Sequence, residues 1–303
     1  MPSIVPLPGR TPLRVVPASG GRLHLTVAIG AHAMAACSHA AVFWLVLRGR
    51  VAVRSKEGDF ALGPGEWIAL DGDSAPQIGS RDGALLLGVG LEPDLKRRLA
   101  GVLLFPARGS MPVHARGRAL RLWQAHGAFD ERCRADDDAI GTVVEFLAGL
   151  QVDLVDAIDR CPGRSERRRR QVMSRMQRAR LCLEGRTDGG LRIGELAKRI
   201  HFSPWYFSKV FVALYGIGPL QFSVRMRLER AHLMLSTTCL PVTEVSAVCG
   251  FDNPCSFARA FRAHFGMSAS EYRLRNARGE VHRQGDPDAA FPSAAFAPAR
   301  ARR

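Results

Sequence analysis

Two short stretches of the 303-residue chain carry side chains suited to reading a nucleic acid, Trp205 to Lys209 and Asn253 to Arg259. A guanidinium such as that of Arg259 can donate two parallel hydrogen bonds to O6 and N7 of guanine. The amide of Asn253 can pair with adenine, and an indole such as Trp205 can lie against a thymine methyl. Tyr206, Ser208, Pro254, Cys255 and Ser256 complete the set, because Phe207, Val210 and Phe211 fall on the apolar side of the same segment and belong to a core. Lys209 belongs to the same base-facing set or grips phosphate instead, and Arg225 and Arg227 are charges of the kind that grip phosphate and carry no sequence information.

These residues need rigid elements, and a duplication supplies them. Ile193, Leu196, Ala197 and Ile200 recur at i, i+3, i+4 and i+7, one apolar face of a short helix, and Val242, Val245, Ser246 and Cys249 repeat the pattern. Phe207, Val210, Phe211 and Leu214 form the face of a following helix, echoed by Phe257, Ala260, Phe261 and Phe265. The first helices align at an offset of 49 and the second at 50, so one turn is a residue longer. Ser203 before Pro204 reads as N-cap and first helical residue, with Asp252 expected to cap the counterpart. Tyr215-Gly216 and Phe265-Gly266 are C-cap signals. Small Ala197 and Ser246 allow the second helix of each pair to cross closely. Gly250 suits a turn with positive φ, whereas His201 stands there in the first copy and predicts some strain.

The strings SPWYFSKVFVALYGIGPLQF, RMRLERAHLML, VTEVSAVCGFDNPCSFARAFRAHFG and ASEYR resemble the AraC type of bacterial transcription regulators over roughly residues 170–276. Ala269 stands where such sequences usually have proline, and Gly218 where they usually have serine. The resemblance implies two helix-turn-helix units, double-stranded DNA and RNA polymerase as partners, and a regulator often governed by a small-molecule effector or by homodimerisation.

Charge points the same way. Residues 161–276 hold 20 Lys and Arg against 8 Asp and Glu, whereas residues 1–160 hold 18 against 17, so the basic excess sits with the repeats. Such a surface gains binding free energy by releasing counterions from a phosphate backbone. Seven cysteines without a CxxC pair argue against a zinc ribbon or a disulfide framework. The apolar runs are far too short for a membrane span, and a soluble, cytoplasmic protein is expected.

The first half reads as short strands divided by turns: Leu23–Ile29, Val42–Leu47, Val51–Val53, Phe60–Leu62, Trp67–Leu70 and Ala84–Val89. HAAVFWLVLRGRVAV followed by FALGPGEWIAL resembles the cupin-like sensing domains that often precede this DNA-binding module. A metal-bearing barrel of that kind would offer an HxH pair and a nearby carboxylate, but His39 stands alone with Ala41, Phe43 and Trp44 in those places. No metal, cofactor or catalytic residue is therefore assigned. His24, His39, Trp44 and Trp67 are the candidates to line a ligand pocket at the barrel mouth.

The expected fold is α+β and multidomain: a small cupin-like β-barrel with a helical segment, then an all-α domain with two helix-turn-helix units joined by a long helix. The expected boundaries are an arm at 1–20, the barrel at 21–110, a helical packing or dimerisation segment at 111–160 and a linker at 161–170. The DNA-binding domain follows at 171–276, with a disordered tail at 277–303. Within the helical segment the stripe over Ala139–Ile158 predicts one helix of about 30 Å. A sequence-specific regulator is the leading reading. A barrel metalloenzyme or DNA-repair protein fused to the module, and a non-specific architectural DNA-binding protein, are the alternatives.

Overall fold

Alternating apolar residues build the first part of the chain in a computed structural model that describes residues 23–28, 33–36, 39–98, 104–125, 137–186 and 191–277. The strands are β1 (Leu23–Ala28), β2 (Ala33–Ala36), β3 (Ala41–Arg48), β4 (Val51–Arg54), β5 (Asp59–Leu62), β6 (Glu66–Asp71), β7 (Gln77–Ser80), β8 (Leu85–Leu91) and β9 (Ala107–Ser110). They form a five-stranded sheet, β1-β8-β3-β6-β9, and a four-stranded sheet, β2-β7-β4-β5. Val42, Trp44 and Val46 of the first sheet share one core with Val51, Val53, Phe60, Leu62 and Ile78 of the second. Each such side chain contributes roughly 1.5–3 kcal/mol by leaving water.

The two sheets face each other as a sandwich, and the small cupin-like barrel expected from sequence is not closed. Among the described residues β1, β9, β2 and β5 each pair with one neighbour, so no hydrogen-bonded ladder joins the two sheets and side chains alone bring them together. The arm expected at 1–20 and the tail after 277 lie outside the described residues.

In β3, β6 and β8 both alternating sets of residues are buried, the pattern of strands covered on both faces. Helix α1 (Pro93–Arg98) follows β8, and α2 (Val113–Ala125) packs on β8 and on α3 (Asp137–Gly149). Ala115, Ala119 and Trp123 of α2 are buried, as are Val143, Phe146 and Leu147 of α3. The apolar stripe of α3 is thus buried within the chain. The 30 Å helix predicted here is broken, because α3 ends at Gly149 and a short α4 (Val152–Asp156) follows. Gln151 makes the break: its side chain turns inward, accepts from the Phe105 N–H at 2.8 Å and donates to the Phe105 carbonyl at 2.9 Å.

The expected linker at 161–170 is partly helical, since α5 runs from Glu166 to Gly185. The chain divides into two compact units between Leu181 and Cys182, later than the linker expected from sequence. Leu181 belongs to the sandwich core, and Arg178 donates to Asp71 at 2.8 Å. Lys96 of α1 reaches the other oxygen of that carboxylate, also at 2.8 Å.

The second unit contains α6 (Ile193–Arg199), α7 (Pro204–Tyr215), α8 (Pro219–Thr237), α9 (Val242–Val248), α10 (Pro254–Phe265) and α11 (Ala269–Ala277). Helix α8 is central and packs against α7, α9, α10 and α11. Leu228, Ala231 and Leu235 of α8 form a core with Val245, Cys249, Phe257, Phe261 and Tyr272.

The turns between α6 and α7 and between α9 and α10 share one hydrogen-bond scheme. His201 N–H donates to the Lys198 carbonyl and Phe202 N–H to that of Ala197, while Gly250 N–H donates to Ala247 and Phe251 N–H to Ser246. This Schellman arrangement needs a left-handed residue at its first position, and φ is 57° at His201 and 74° at Gly250. A side chain in that region costs about 1–2 kcal/mol, partly offset by the greater entropy that glycine loses on folding. His201→Gly is therefore expected to stabilise the unit by about 0.5–1 kcal/mol, read as a rise of a few degrees in Tm; a fall would show that the imidazole makes a compensating contact.

The small residues sit where the pairs cross. Ala197 is fully buried, and Ser246 is buried with no hydrogen-bond partner for its Oγ among the described residues. A buried hydroxyl left unsatisfied is destabilising. Ser246→Ala, which makes the second copy match the first, is expected to raise stability by about 1 kcal/mol in thermal denaturation; a loss of that size would mean the hydroxyl is satisfied.

Candidate nucleic-acid interface

Helix α7 starts where its caps dictate. Ser203 Oγ accepts from the Tyr206 N–H at 3.2 Å, Pro204 fills the first helical position, and left-handed Gly216 closes the end. Phe207, Val210, Phe211 and Leu214 are buried, which turns the opposite side outward. Trp205 is 70% exposed there, with the Lys209 ammonium 4.9 Å from its ring centroid. Lys209 is exposed, Ser208 is half-buried, and Tyr206 is half-buried with its ring against Phe202.

Helix α10 repeats this arrangement with one correction: Asn253, not Asp252, is the N-cap. Its Oδ1 accepts from the Cys255 N–H at 2.8 Å, so the carbonyl half of the amide expected to read adenine is engaged in the cap. Phe257 and Phe261 are buried, and Pro254, Cys255, Ser256 and Arg259 are exposed. Arg262 and Val212, absent from the sequence-based set, are exposed on the same helices. The signal for Arg262 was its spacing of three from Arg259.

Arg227 departs from expectation. Its Nη1 donates to the Gly250 carbonyl at 2.7 Å, and its guanidinium carbon lies 4.7 Å from the centroid of the Phe251 ring. Burial pushes its pKa below the ordinary arginine value, with Asp252 opposing the shift. The side chain fastens α8 to the turn before α10. Arg225, two residues earlier on α8, is half-buried.

Of the four proposed pocket residues, the two tryptophans lie on opposite faces of one sheet. Trp44 points into the sandwich core, while Trp67 stacks at 5.0 Å on Phe43, which alternates with Trp44 along β3 and so lies on the opposite face of the sheet. His39 is buried against Gly90, where an added Cβ would come within 2.5 Å of the ring. His24 pairs in register with Gly90, and its side chain lies outside what is described. Among the described residues no three His, Cys, Asp or Glu side chains gather as metal ligands, and no single helix is long and apolar enough to cross a membrane.

Two helix pairs with capped, outward-facing second helices, joined by one central helix, define a helix-turn-helix protein. Residues 196–275 match the family model described as a helix-turn-helix domain. The chain is 38% identical over 89 residues to the transcriptional regulator Rv1931c of Mycobacterium tuberculosis, covering 29% of this chain and 34% of that protein. It is 32% identical over 92 residues to the transcriptional activator AarP of Providencia stuartii, covering 30% of this chain and 68% of that protein. Against the arabinose operon regulatory protein of Escherichia coli the identity is 35% over 86 residues, covering 28% of this chain and 30% of that one. The chain belongs to the AraC family of helix-turn-helix regulators. It spans only about a third of the length of the first and third of these relatives.

Proposed function

We infer that the protein is a sequence-specific DNA-binding transcription regulator in which α7 and α10 enter successive major grooves on one side of a duplex. The observation that carries this reading is the repeated exposure of polar and aromatic side chains at the N-terminal half of two capped helices whose other faces are buried. Helix α8, at 19 residues, is about 28 Å long, close to the spacing of about 34 Å between major grooves on one face of B-DNA. The basic excess of residues 161–276 supplies the sequence-independent grip, and Arg225 remains a candidate phosphate contact.

The sandwich unit is the candidate site of control, through a small-molecule effector or a second copy of the chain. RNA polymerase is the downstream partner that the family implies, and a regulator of this kind acts in the cytoplasm. Selection from random duplex DNA tests the reading. Enrichment of two short blocks, centred about one helical turn apart, is expected; an unenriched pool that still binds would instead identify an architectural protein.

A further inference from the structure

The two outward faces are chemically unlike, although the helices that bear them are copies. Helix α7 (PWYFSKVFVALY) has one basic residue, Lys209, and that ammonium lies over the Trp205 ring. The rest of its exposed face is Pro204, Trp205 at 70%, Val212 at 45%, and Ala213. Helix α10 (PCSFARAFRAHF) exposes Cys255, Ser256, Arg259 and Arg262 at the equivalent places. An offset of 50 sets Cys255 against Trp205, Arg259 against Lys209 and Arg262 against Val212. Hydrogen-bonding capacity is concentrated on one copy and apolar surface on the other.

Resting on the reading above, we propose that the protein recognises an asymmetric site: α7 reads thymine C5-methyl groups through Trp205 and Val212, and α10 reads guanine through Arg259. A thymine methyl is the one apolar feature of the major groove, and guanine is the base whose paired acceptors fit a guanidinium. An indole held by a cation at its ring face meets a methyl without needing a hydrogen-bond partner, whereas an arginine without acceptors would leave a charge desolvated. A given chain therefore has one orientation on its site, with the thymine block under α7.

The test uses the full chain and its selected duplex, with single replacements of thymine by deoxyuridine and of guanine by 7-deazaguanine, read by fluorescence anisotropy. Loss of one buried methyl is expected to weaken binding about three- to fivefold, in one block only. Loss of a guanine N7 is expected to weaken binding at least about fivefold, in the other block only. The double replacement Trp205→Ala, Val212→Ala, at two exposed positions, abolishes the deoxyuridine effect and retains the 7-deazaguanine effect; Arg259→Ala does the reverse. Deoxyuridine sensitivity that survives in the double variant, or both sensitivities within both blocks, overturns the asymmetric assignment while leaving the regulator reading in place. Failure to select any discrete duplex overturns the regulator reading itself.

Discussion

Arg227→Ala lowers the stability of the second unit by about 2–3 kcal/mol and leaves the salt dependence of DNA binding unchanged. A hydrogen bond from a charged donor contributes about 1.5–3 kcal/mol, and a partly buried cation over an aromatic ring about 0.5–2 kcal/mol. Arg227 makes both contacts, to the Gly250 carbonyl and the Phe251 ring. Removing it also strips a hydrogen bond from the turn that sets the start of α10. In a unit of this size the loss corresponds to a fall in Tm of about 10 °C or more. Arg227→Lys keeps the charge but cannot both stack and reach the carbonyl, so it recovers only part of the loss. Were Arg227 a phosphate contact, its removal would spare the Tm and reduce the slope of log affinity against log salt by about one.

Arg259→Ala costs about 1–3 kcal/mol at the specific site and relaxes base choice at one position, with no change in Tm. The side chain is exposed on α10 two residues after buried Phe257 and two before buried Phe261, so truncating it disturbs no core. A bidentate guanidinium–guanine pair discriminates by about that amount. Competition binding against the selected duplex and against random duplex DNA separates the two roles the residue can play. Equal losses on both would assign Arg259 to the backbone. A loss confined to the selected duplex, erased when the matching guanine is replaced, assigns it to the base.

The duplicated helices were legible because their apolar positions recur at helical spacing and their ends carry unambiguous punctuation. Ser203-Pro204 located the start of α7 to the residue. The same signal, Asn253-Pro254, was present for α10, but Asp252 is an equally good cap by type, and only the proline at the first helical position decides between them. Strands β3, β4, β5, β6 and β8 announced themselves through apolar runs and turn residues. Strands β2 (AMAA), β7 (QIGS) and β9 (ARGS) did not, being four residues each of small or polar composition. Without β9 on one sheet and β2 and β7 on the other, the strand list does not show how the strands divide between two sheets.

Other features depend on contacts far apart in sequence. Nothing local distinguishes Gln151 from a surface glutamine, yet its bonds to Phe105 end α3. Arg227 lies off the apolar stripe of α8 and reads as solvent-facing until the Gly250 carbonyl is placed beside it. Trp44 and Trp67 are both aromatic candidates for the barrel mouth, but strand alternation and register put them on opposite faces of one sheet. The exposed set on α7 and α10 was more accessible to sequence reasoning, since burying the phenylalanines fixes by elimination which side chains turn outward.

Footprinting of the protein on its selected duplex bears most directly on the central claim that one chain presents two readers to one side of DNA. Two protected blocks on the same face, centred about 10 base pairs apart and both lost at high salt, are the expected result. A single block, or uniform protection without sequence preference, would contradict it.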